Sequence, residues 1–90
     1  MAKPYYVEFR PQASENLGRL TKSNAQRVLN KINWLASNFD AASHETLKGE
    51  FKGLFKLSIG DYRAIYSVIR KERLIIIHLV GHRRNIYERR

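Results

Sequence analysis

Three apolar runs stand almost end to end in the second half of the chain: Leu54–Ile59, Tyr62–Ile69 and Leu74–Val80. Gly60-Asp61 separates the first two, and the polar stretch Arg70–Arg73 separates the second and third. Connections this short suit hairpins and cannot hold the dozen or more residues of a parallel crossover. The three runs are therefore expected to form an antiparallel meander. The segment Ile75–Val80 is apolar at both parities, which puts it inside the sheet rather than at an edge.

The first half reads differently. Tyr5–Phe9 alternates around Val7 as a strand, with Pro4 at a position a first or edge strand tolerates. Pro11 opens a helical stretch with Ala13, Leu17 and Leu20 on one side. Gly18 weakens that helix by about 1 kcal/mol relative to alanine. A second helix carries the apolar stripe Ala25, Val28, Leu29, Ile32, Leu35, Ala36 and Phe39. Ser23 is its expected N-cap, and Asn38 with Asp40 marks its end. Its other face shows Arg27, Asn30, Lys31 and Ser37. The few residues around Thr21–Ser23 make the two helices an antiparallel hairpin. Residues 40–53 read as loop, punctuated by Gly49 and Gly53. The order β-α-α-β-β-β is an α+β fold, with the helix hairpin on one face of a small, mostly antiparallel sheet. Trp34 and Tyr66 are expected in the core or in helix packing, His44 in solvent, and His78 as a hydrogen-bonded structural residue.

Ninety residues make one domain, 1–90, with a basic tail at 82–90. A chain of this size buries only about 60% of its unfolded surface, so a site must be superficial. Seventeen Lys and Arg against eight Asp and Glu give a net charge of +9, which draws polyanions, nucleic acid first and an acidic protein second. There is no cysteine and only three scattered histidines, so neither a disulfide framework nor a metal site is expected. MAKPYYVEFR has no apolar h-region, and no apolar run approaches the roughly 20 residues of a membrane span. The expectation is a cytoplasmic protein without membrane association.

Strand parity makes a geometric claim about the cations. If the Gly60-Asp61 loop holds two or four residues, Lys56 and Arg63 point to one sheet face, with Leu54, Ser58, Ile65 and Ser67. Phe55, Leu57, Ile59, Tyr62, Ala64, Tyr66 and Val68 then share the other, more apolar face, which should meet the helices. A three-residue loop would split the two cations between faces. Arg83 follows the third run and Gly81, and Tyr87 comes four residues later. Both can converge on the open face.

At these residues the chain resembles the RelE-type toxins of the RelE/ParE superfamily. The resemblance rests on Leu47–Gly49, the FKL strand at Phe55–Leu57, GDYRAIYSV at Gly60–Val68 and VGHRRNIY at Val80–Tyr87. It implies a compact α+β toxin of a type II toxin–antitoxin system, without cofactor. Its expected activity is cleavage of messenger RNA in the ribosomal A site, with a cognate acidic antitoxin as inhibitor in a hetero-oligomer. Lys56, Arg63, Arg83 and Tyr87 match the family's functional positions, and Lys48, Lys52, His82 and Arg84 are expected RNA contacts around them. The alternative within the superfamily is a ParE-like inhibitor of DNA gyrase without ribonuclease activity.

The chemistry implied is attack of a ribose 2′-OH on the adjacent phosphorus. Arg63 and Arg83 would hold and neutralise the phosphate. Lys56 would be a second clamp or, if crowded by the arginines, a base. Tyr87 would orient the 2′-OH or stack on a base.

Overall fold

The computed structural model of the protein describes residues 3–86. Strand β1 (Tyr6–Phe9) leads into helix α1 (Pro11–Gly18) and helix α2 (Lys22–Ser37). A two-residue strand β2 (Glu45–Thr46) follows, then β3 (Phe55–Ile59), β4 (Tyr62–Ile69), β5 (Leu74–His82) and a single helical turn, α3 (Arg83–Ile86). They form a five-stranded sheet in the order β1-β5-β4-β3-β2. The meander is antiparallel, and β1 lies parallel to β5. The expected α+β architecture holds, with β5 flanked on both sides as its apolar pattern requires.

The helix hairpin covers one face. Ala13 from α1 and Val28, Ile32, Leu35 and Ala36 from α2 pack with Ile59, Ala64, Tyr66, Ile75, Ile77 and Val80 of the sheet. Full burial of each valine, leucine or isoleucine side chain contributes roughly 1.5–3 kcal/mol. The Asn16 side chain accepts the Val80 N–H at 3.0 Å, tying α1 to β5 where β1 has already ended. Among the described residues no helix is long and apolar enough to cross a membrane.

The register explains the double apolar parity of β5. Ile65 pairs with Leu79 but Tyr66 pairs with Ile77, so His78 is an extra residue at a β-bulge. Before the bulge Ile75 and Ile77 face the helices. After it Val80 does, and the open face receives Leu79 and Gly81. His78 is hydrogen-bonded, as expected: its Nε2 lies 2.8 Å from the Ser67 hydroxyl.

Four expectations are corrected. The N-cap of α2 is Thr21, not Ser23: its hydroxyl accepts the Asn24 N–H at 3.2 Å. The stretch 40–53 is not all loop, since Glu45–Thr46 pairs with β3 and Gly49–Phe51 forms a 3-10 turn. His44 is not solvated. Its ring packs at a tilt against Phe39 with centroids 4.0 Å apart, and its two nitrogens meet the Tyr66 hydroxyl at 2.7 Å and the Phe39 carbonyl at 2.9 Å. Trp34 is outside the core, 45% exposed on the outer face of α2, whereas Tyr66 is buried as expected.

Candidate functional site

The β3–β4 hairpin decides where the cations go. Ile59 pairs with Tyr62, so the turn is the two residues Gly60-Asp61. Gly60 has φ 57°, a conformation glycine adopts without the Cβ penalty. The two-residue loop fixes the parity: Ser58 opposes Arg63 and Lys56 opposes Ile65. Lys56 and Arg63 therefore share the face away from the helices, at diagonal positions about 7–8 Å apart. That face is not uniformly open, because Ile65 between them is fully buried.

Both arginines close on the same turn. The Arg63 guanidinium donates to the carbonyls of Gly60 at 2.9 Å and Tyr62 at 2.8 Å. The Arg83 N–H donates to the Asp61 carbonyl at 2.7 Å, and its Nε lies 3.7 Å from the Asp61 carboxylate. Arg63 pairs across the sheet with Gly81, two residues before Arg83. The bulge at His78 is what sets this parity; without it Gly81 would face the helices.

Lys56 meets a carboxylate rather than arginines. Edge strand β2 puts Glu45 opposite Lys56, and the ammonium lies 3.1 Å from the carboxylate. The sequence reading missed this residue because a two-residue strand leaves no alternation to detect. The signal available was Glu45 itself, an acidic residue just before the Leu47–Gly49 motif in an otherwise basic half-chain.

The remaining expected contacts are dispersed. Lys48 and Lys52 flank the 3-10 turn between β2 and β3, both exposed. Arg84 is exposed on α3. His82 is apart from Lys56 and Arg63: it pairs with Tyr62 on the helix-facing side, its ring edge-on to Tyr62 at 5.5 Å, and Nδ1 accepts the Arg84 N–H at 3.1 Å. It lines a cavity of about 260 Å³ with Asn16, Leu20, Asn85 and Ile86. Tyr87 lies outside the described residues.

Two histidine and tyrosine environments are shifted by burial. His78 has its pKa lowered by desolvation, with a further contribution from Arg10. Tyr66 is pushed up to about 12 by desolvation, partly opposed by Arg70. Neither belongs to the cation cluster; each is hydrogen-bonded within the fold, Tyr66 to His44 and His78 to Ser67.

A sequence profile of the family described as "ParE toxin of type II toxin-antitoxin system, parDE" matches residues 7–87. The chain belongs to this family of toxins. Its fold is similar to that of solved toxin–antitoxin proteins. A chain of the RelBE2 toxin–antitoxin complex from Mycobacterium tuberculosis is 24% identical with a TM-score of 0.81, the match covering 91% of this chain and 94% of that one. A chain of the archaeal RelE–RelB complex from Pyrococcus horikoshii is 29% identical with a TM-score of 0.71, covering 90% and 97%. A chain of the RelBE complex from E. coli is 20% identical with a TM-score of 0.68, covering 87% and 95%. Among curated protein sequences, none matches this chain. Membership of the toxin family and the α+β fold agree with the resemblance drawn from the motifs.

Proposed function

We propose that this toxin is a ribosome-dependent endoribonuclease that cuts messenger RNA in the A site. The observation that supports the reading best is the convergence of Arg63 and Arg83 on the Gly60-Asp61 turn, with Lys56 on the same sheet face as Arg63. Two guanidinium groups on a rigid hairpin suit the non-bridging oxygens of one phosphodiester. In the free protein they hold backbone carbonyls and a carboxylate, contacts that a phosphate can replace.

The reaction is a transesterification. The 2′-oxygen bonds to phosphorus, the bond to the 5′-oxygen breaks, and one proton passes from nucleophile to leaving group through protein or solvent. Arg63 and Arg83 stabilise the charge developing on the phosphoryl oxygens. Glu45, held against Lys56, is the carboxylate on this face suited to accept the 2′-OH proton. Tyr87 is the expected group for orienting the nucleotide. Activity on naked RNA is weak, because the ribosome contributes much of the orientation.

The partner proposed is a cognate antitoxin with an acidic amphipathic segment, which the net charge of +9 favours. The solved structures named above are themselves toxin–antitoxin complexes. The segment masks Lys56, Arg63 and Arg83 or displaces the tail that carries Tyr87.

A second reading, a ParE-like gyrase inhibitor, is favoured by the family profile itself. A translating extract separates the two. With the purified toxin, primer extension should find messenger ends at defined codon positions, and these should fade with Arg83→Lys, which keeps the charge but loses the bidentate fork. Intact messenger together with blocked gyrase supercoiling would give the second reading instead.

A further inference from the structure

Helix α2 carries Lys22, Arg27 and Lys31 and no carboxylate in its sixteen residues. Its outer face holds Trp34, 45% exposed, with the Lys31 ammonium 4.3 Å from the ring centroid. Two contiguous depressions run along this face. One, of about 360 Å³, is lined by Arg27, Asn30, Lys31, Trp34 and Ile59. The next shares Arg27 and Asn30 and continues to Lys22 and Gln26.

This groove joins the candidate site through Arg27. The Arg27 guanidinium lies over Gly60, so close that a β-carbon there would meet Nη2 at 2.7 Å. Gly60 is the residue whose carbonyl holds Arg63, and the adjacent Asp61 holds Arg83. Arg83, Arg63 and Arg27 thus all lie against the Gly60-Asp61 turn, and Arg27 lines one depression with Lys31 and the exposed Trp34 ring.

We propose that this face of α2 is a track for the messenger strand flanking the scissile phosphate, in which Arg27 and Lys31 take phosphates and Trp34 stacks on a base. The proposal rests on the ribonuclease reading for the identity of the strand. The surface itself favours RNA over an acidic peptide. A docked amphipathic helix needs several apolar anchors at helical spacing, and here the outward positions beside Trp34 are Ser23, Gln26, Asn30, Asn33 and Ser37. One ring amid cations and amides is instead the usual equipment for a single strand, phosphates on the cations and a base on the π-face.

Trp34 is the chain's one tryptophan, so its fluorescence reports on this surface alone. The probes are dye-labelled 2′-O-methyl oligonucleotides, which cannot be cut, with binding followed by anisotropy. Oligonucleotides longer than about 4 nucleotides should quench Trp34, and shorter ones should bind without quenching it. The double variant R27A/K31A should weaken the long probe about tenfold, leave the short one unchanged and flatten the salt dependence by about 1.4 in log–log slope, as expected for two lost phosphates on a single strand. Binding without any change in Trp34 emission, no binding at all, equal quenching by poly-glutamate, or quenching by vacant ribosomes alone would each overturn the proposal. Ribosome-dependent cleavage is measured separately. Cleavage with a silent Trp34 removes only the track, and quenching without cleavage removes only the ribonuclease reading.

Discussion

The Glu45 carboxylate lies 3.1 Å from the Lys56 ammonium, held there by the pairing of the edge strand with β3. A site expected to consist of three cations and a tyrosine thus has a carboxylate beside Lys56. In the ribonuclease reading, Glu45→Gln removes the proton acceptor and one repelling charge together. Cleavage on the ribosome should fall by about 10²-fold or more, while affinity for a non-cleavable RNA holds or rises. Single-turnover cleavage and oligonucleotide binding measured side by side check this. Cleavage at the wild-type rate would remove Glu45 from the chemistry and leave it a structural partner of Lys56.

Tyr66 and His44 form a second polar pair, with Tyr66 in the core and His44 half-buried beside it. The Phe39 carbonyl can only accept, so the His44 Nε2 carries the proton and Nδ1 accepts from the Tyr66 hydroxyl. Tyr66→Phe leaves that nitrogen unpaired, at a cost of about 1–3 kcal/mol. For a domain of this size each kcal/mol lowers Tm by about 4–8 °C. The raised Tyr66 pKa adds an alkaline signature. The folded state favours the neutral phenol, so stability is intact below the unfolded value of 10 and is lost as pH rises towards about 12. Thermal scans from pH 9 to 11.5 should show this loss in the wild type and less of it in Tyr66→Phe. Equal alkaline losses in both proteins would show that another group is responsible.

His78 carries the opposite sign. Its folded pKa lies below the ordinary 6.5, through desolvation first and Arg10 second. The unfolded chain therefore takes up its proton first as pH falls. The contribution is fully present above 6.5 and is lost as pH drops from there through the folded value. His78→Gln keeps a hydrogen-bonding side chain for Ser67 and cannot titrate. The fall in Tm between pH 7.5 and 5.5 should be smaller in this variant than in the wild type. An unchanged fall would assign the acid sensitivity to other groups.

The meander could be read from the sequence because short turns and strand alternation dictate it, and the shared face of Lys56 and Arg63 followed from loop length alone. Three features escaped for physical reasons. The bulge at His78 is invisible because isoleucine, leucine and valine occupy both parities of β5, so a shift of one residue leaves the pattern apolar. Strand β2 is too short to show a period. Residue type alone points Trp34 to packing, yet it follows Lys31 by three positions, the spacing that brings helical neighbours together, and it faces outward with that lysine over its ring. Of the candidate site, the common face of Lys56 and Arg63 is readable from the loop length, while the neighbours Glu45 and Asp61 depend on tertiary pairing.

Gly60 connects the two basic regions, and its replacement tests the connection. Its φ of 57° is left-handed, and a β-carbon there would lie 2.7 Å from the Arg27 guanidinium. Gly60→Ala therefore carries a backbone penalty of about 1–2 kcal/mol together with displacement of Arg27. The backbone part is independent of Arg27, and the steric part is not. In an Arg27→Ala background the same substitution should cost less, and the difference between the two backgrounds is a coupling energy that urea unfolding can measure. Equal costs in both would mean that the Arg27 guanidinium does not lie over the turn in solution.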